Sequence, residues 1–102
     1  MGSRLKLQAE LEELLGSANV YFQPPESVRI KYPAIIYHKR NGSLKKADNF
    51  PYFFMNSYKV VIIDWDPDKL WIEEMLHKFK YVSVESPYTA DNLNHWPFII
   101  HY

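Results

Sequence analysis

Asp64, Asp66 and Asp68 alternate through the stretch DWDPD, the spacing with which calcium-binding loops begin. Such a loop also needs a sharp glycine turn at its sixth position and a distant bidentate glutamate. Here the sixth position is Lys69, and a helical pattern follows at once. Helix capping accounts for the same residues without a cation: Asp66 caps the first amides, Pro67 suits the first helical position and Asp68 complements the helix dipole. The four histidines, His38, His77, His95 and His101, fall on different expected elements, and no two have the i, i+4 spacing of a zinc-binding helix. With no cysteine in the chain, thiolate sites and disulfides are excluded. Neither a metal nor a cofactor is expected.

Nucleophilic catalysis fares no better. Ser83, Ser86 and Thr89 sit in no G-x-S-x-G or S-x-x-K context, and three glycines in all leave no phosphate-cradling loop. A small hydrolase using His95 with Asp91 would still need a nucleophile and a pocket to bring them together. No catalytic residue is assigned, and the chain reads as a non-enzyme.

Two polar stretches remain. In residues 88–95, Thr89, Asp91, Asn92 and Asn94 are side chains able to close turns with their own backbone, so the segment reads as a shaped structural loop. Beside it Tyr88 and Trp96 are suited to anchor a contact with another subunit, and His95 lies between them. The second stretch carries Lys39, Arg40, Lys45 and Lys46 around Asn41-Gly42, the strongest short hairpin signal in the chain. The next β-rich run begins only near Pro51, so SLKKADNF is expected to be a projecting loop. Arg40, Asn41, Lys45, Lys46, Tyr88, Asp91, Asn92, Asn94, His95 and Trp96 are therefore the candidate subunit or partner contacts.

The elements that must position them can be read from hydrophobic spacing. Leu7, Leu11, Leu14 and Leu15 recur at helical intervals and Gly16 follows, which predicts an amphipathic helix over residues 4–15. NVYFQ is β-like but meets Pro24 and Pro25, so it reads as an edge or a connection. Val28 and Ile30, then Ile35, Ile36 and Tyr37, predict a strand region over ESVRIKYPAIIYHKR. YFFMNSYKVVIID turns apolar on both faces after Lys59, which predicts a central strand covered on both sides for part of its length. DPDKLWIEEMLHKF predicts a second helix to about residue 78, and KYVSVES and PFIIHY predict the last two strands. The expected fold is α+β in one domain over residues 1–102: a mostly antiparallel sheet of about four to five strands with two helices packed on it.

Composition bounds the partners. Aromatic residues make up 17% of the chain, which marks a folding sequence. Twelve basic residues balance twelve acidic ones, so no overall field favours nucleic acid or an anionic membrane. The longest aliphatic run, residues 60–63, is too short to span a bilayer.

Three strings carry a resemblance: LQAELEELLGSANVYFQPPESVRIKYPAIIY, YKVVIIDWDPD and YTADNLNHWPFIIHY. Together they make the chain, from about Leu5 to Tyr102, similar to small proteins encoded in the morphogenesis modules of long-tailed bacteriophages and prophages of Gram-positive hosts. These are tail terminator, tail completion or head-tail joining proteins, also labelled minor capsid proteins. The resemblance implies an α+β subunit that assembles into a ring, commonly of six, on the head-proximal end of the tail tube. It implies the tail tube protein and head-completion or connector proteins as partners. It also implies assembly in the host cytoplasm and a place in the virion. KLWIEEMLHKFKYVSVES departs from the family pattern, with Trp71 and a basic end, so no contact surface is carried over there. A competing expectation is a monomeric adaptor that binds a protein partner through the stretch 40–50.

Overall fold

The computed structural model describes residues 4–46 and 50–102, with side chains described outside 41–46 and 50–55. The fold is α+β: two helices packed on a mixed, mostly antiparallel six-strand sheet. In chain order the elements are α1 (Arg4–Leu15), β1 (Val20–Phe22), β2 (Ala34–Lys46), β3 (Phe50–Asp64), α2 (Trp71–Lys78), β4 (Val82–Val84), β5 (Tyr88–Ala90) and β6 (Leu93–His101).

The leucine spacing forms α1, with Leu7, Leu11 and Leu15 buried on one face. Gly16 ends the helix at φ +77°, a left-handed conformation that costs a side-chain-bearing residue. Its amide and that of Ser17 both donate to the Glu12 carbonyl, at 2.9 and 3.3 Å, which satisfies one of the last carbonyls of the helix.

The strand order is β1-β2-β3-β6-β4, with β5 pairing β6 beside β4's end of that same edge. β3 is thus central, as its apolar run predicts. β1 pairs parallel to β2 through Val20↔Ile35, Tyr21↔Ile36 and Phe22↔Tyr37, and every other pairing is antiparallel. Gln23 at φ 45° and the prolines after it stop β1 at the sheet edge.

One face carries the core. Alternation along β2, β3 and β6 sends Ile35 and Tyr37, Tyr58, Val60 and Ile62, and Trp96, Phe98 and Ile100 to the side where Leu7, Leu11, Trp71, Met75 and Phe79 of the helical layer pack. Tyr37 is fully buried; its hydroxyl donates to Gln8 Oε1 at 2.5 Å and accepts from Arg4 Nη1 at 3.2 Å. Burial pushes the Tyr37 phenol above its usual range, and Arg4 opposes this only in part. Lys78 closes on Glu13, tying α2 to α1, and that ammonium holds the Glu13 carboxyl below its usual range. Among the described residues no helix lies on the opposite face of the sheet, yet Ile63 and Ile99 are also buried and Val61 and Ile36 are half-buried. Burial on both sides of β3 therefore holds for its second half, with helices on one side only.

The structure corrects several expectations. Val28 and Ile30 are not strand residues: three prolines at 24, 25 and 33 leave too few ladder donors, and residues 23–33 form the crossover that a parallel β1–β2 pair requires. Asp66, Pro67 and Asp68 lie in a turn before α2, whose N-cap is Leu70 with no side-chain cap. The strand count is six because part of the polar stretch 88–95 itself joins the sheet.

Candidate interaction surfaces

The stretch 88–95 is a β-hairpin, not a structured loop. Tyr88↔His95, Thr89↔Asn94 and Ala90↔Leu93 are in register, which leaves Asp91 and Asn92 as a two-residue turn. Both have positive φ, 54° and 63°, as a type I′ turn requires and as Asp and Asn tolerate better than other side chains. Asn41-Gly42, by contrast, lies within β2, so the stronger hairpin dipeptide is not where that strand turns.

The hairpin holds an aromatic surface. Tyr88 stacks on His95, ring centroids 4.7 Å apart and 14° from parallel. His95 Nδ1 lies 3.1 Å from the Leu93 carbonyl, which favours the tautomer that donates from Nδ1. Asn94 Nδ2 donates to the Trp65 carbonyl at 3.3 Å, fastening the hairpin to the end of β3. Between them lies a groove of about 210 Å³ lined by Pro67, Pro87, Tyr88, Asn94, His95 and Trp96, among others. Tyr88, which lines it, is 50% exposed, and Trp65, whose carbonyl accepts from Asn94, is 61% exposed, high values for large apolar rings.

DWDPD shapes the same end of the molecule. Asp64 is 2% exposed; its Oδ1 accepts from the Asp66 amide at 3.1 Å and its Oδ2 from Trp71 Nε1 at 3.2 Å. Asp66 Oδ1 in turn accepts from the Asp68 amide at 3.0 Å. The alternating acids thus fold a tight connection between β3 and α2, and no group of three or more potential metal ligands forms among the described residues.

The second candidate stretch is at the other end. β2 and β3 stay paired through Ser43↔Asn56, Leu44↔Met55 and Lys45↔Phe54 to Lys46↔Phe50, with register shifts between Lys39 and Ser43 and between Lys45 and Lys46. SLKKADNF is therefore largely strand; residues 47–49 lie outside the described residues, as do the side chains of Asn41, Lys45 and Lys46. β6 leaves β3 at Ser57↔His101, and Asn56 exchanges two backbone hydrogen bonds with Tyr102. Beyond that point residues 41–46 and 50–55 run on as a two-stranded arm about 20 Å long, paired among the described residues only with each other. Arg40 sits at its base, where Nη1 donates to the buried Ser57 Oγ at 3.1 Å. His101 stands close by, and burial together with the Arg40 charge pushes its imidazole below the usual histidine range.

The ten candidate contacts thus divide between two ends: Tyr88, Asp91, Asn92, Asn94, His95 and Trp96 at one, Arg40, Asn41, Lys45 and Lys46 at the other. Trp96 turns its ring into the core, with 7% exposure, and is groove floor rather than exposed anchor. Sequence reasoning passed over Trp65, Pro67 and Pro87; the available signal was a tryptophan set between two aspartates in a turn. Compared with known proteins, the chain matches no protein-family model and no curated protein.

Proposed function

We propose that this chain is a non-enzymatic structural subunit of the neck or tail of a long-tailed bacteriophage, a ring-forming tail terminator or tail completion protein. The observation that carries this reading is the β2–β3 pair, which continues past its last pairing with β6 at Ser57↔His101 through a stretch whose sequence along β3 is FPYFFM. A two-stranded ribbon on its own is marginal in water, and apolar sequence of this kind is common where protein subunits meet. An arm of this kind suits a protein whose work is assembly. The resemblance of YFQPPES, DWDPD and YTADNLNH to phage morphogenesis proteins supplies the setting, with the tail tube and the head connector as partners.

Electron microscopy of particles made without this gene is the test. Tail tubes of uncontrolled length without heads are the expected outcome. Tails of normal length, separated from filled heads, would move the protein to the head-tail joining step, and intact infectious particles would refute the structural role.

A further inference from the structure

We infer that the outer face of α2 in one copy of this chain docks on the helix-free face of the sheet in a second copy, setting acidic side chains against basic ones and leucines against an apolar row. The contact rests on the assembly role proposed above and names the two surfaces that serve it.

The sheet supplies one half. Cross-strand partners share a face, so Ile36, Val61 and Pro97 form a row across β2, β3 and β6 on the side away from the helices. The next row is His38, Lys59, Ile99 and Ser83, and beyond it Ser57 lies opposite His101. Arg40 completes that last row, since its Nη1 donates to Ser57 Oγ at 3.1 Å. His38, Arg40 and Lys59 are exposed, and Arg40 forms no ion pair among the described residues. Lys59 is shared with Glu85 of the same face at 3.5 Å, a half-exposed pair that water screens. A half-buried apolar row thus borders two rows that carry the basic groups.

The other half is α2. Trp71 and Met75 turn inward, and Leu70, Glu73, Leu76 and His77 recur at helical spacing on the opposite side, with Glu74 flanking them. Leu70 and Leu76 are 59% and 49% exposed. Glu73 and Glu74 are exposed and form no ion pair among the described residues. Neighbouring cations are engaged within the chain: Lys78 closes on Glu13, and Lys69 lies over the Trp71 ring at 5.7 Å.

The spacings on the two surfaces are compatible. A helix advances about 4.5 Å over three residues, and same-face rows of a sheet lie about 6.7 Å apart. With α2 laid along the strands, Leu76 over Ile36 and Val61 brings Glu73 toward Lys59 and His38. Like surfaces pair badly, because Arg40 and Lys59 would meet their own kind in a sheet-to-sheet contact, as Glu73 and Glu74 would in a helix-to-helix one. A contact between two different patches is heterologous: it closes into a ring when its rotation allows and otherwise propagates.

The test reverses the charge of each half in turn, in the full chain. One variant carries Arg40→Glu with Lys59→Glu, the other Glu73→Lys with Glu74→Lys. Neutral versions, Arg40→Gln with Lys59→Gln and Glu73→Gln with Glu74→Gln, take their place should a reversed chain fail to fold. Analytical ultracentrifugation should show concentration-dependent association of the unaltered chain, weakened by added salt. Each reversed variant alone should associate about tenfold more weakly or worse, as should Leu70→Ser with Leu76→Ser. Mixing the two reversed variants should restore association, because acid then meets base at every contact between unlike copies. A chain that stays monomeric at every concentration overturns the pairing, as does a reversed or neutral variant that associates like the unaltered chain, or a mixture of reversed variants that does not associate. None of these results touches the assembly role, which the gene-deletion phenotype decides separately.

Discussion

Asp64 and Trp71 join the end of β3 to the start of α2: the indole Nε1 donates to the Asp64 carboxylate at 3.2 Å, and both residues are buried. Because Asp64 also accepts from the Asp66 amide, one side chain sets both the angle of the helix and the path of DWDPD past the groove. Removing the donor by Trp71→Phe leaves a buried carboxylate oxygen without this partner. We expect a loss of about 1–3 kcal/mol, measured by urea unfolding, with Asp64→Ala costing at least as much. A loss below about 0.5 kcal/mol for both would show that the pair is not a structural tie.

The Asp91-Asn92 turn determines whether β5 forms. A β-branched residue at a left-handed position costs about 1–2 kcal/mol, so Asn92→Val should lower stability by that amount while Asn92→Gly should be neutral or stabilising. Thermal unfolding of the two variants checks the order. In the valine variant the Tyr88–His95 stack should also loosen, visible as a shift of the His95 ring proton resonances.

His101 supplies a pH dependence. Its folded-state pKa is depressed, first by burial and then by Arg40, so the folded chain binds this proton less readily than the unfolded chain does. The stabilising contribution is present above the unfolded histidine value and is lost as pH falls through the lower folded value. Urea unfolding should show stability declining as pH drops from about 7 toward 5.5, before most carboxylates titrate. His101→Gln should flatten that decline, and an unchanged slope would contradict the assignment.

Much of this architecture was legible from side-chain spacing. The i, i+4, i+8 leucines give α1, Gly16 gives its end, and Tyr58, Val60 and Ile62 give the core face of a central strand. What spacing did not reveal has physical reasons. Asn41-Gly42 permits a type I′ turn without compelling one, and cross-strand pairing with residues 55 and beyond keeps β2 extended through it. Asp91-Asn92 is a weaker turn dipeptide, yet it is the one flanked by strands in register. Asp66 reads as a helix cap from sequence alone, but its carboxylate is engaged by the Asp68 amide and the helix begins later, at Trp71. The groove was half visible: 88–96 reads as one patch, whereas Pro67 joins it only through the Asp64↔Asn94 pairing, a contact between residues distant in sequence.

Whether this chain is a built-in part of the virion is tested most directly by locating it. Immunogold labelling of an epitope-tagged copy, on purified particles of the phage or prophage that encodes it, should place gold at a single point, the junction of tail and head. Particles that assemble and infect normally yet carry no gold would contradict the account.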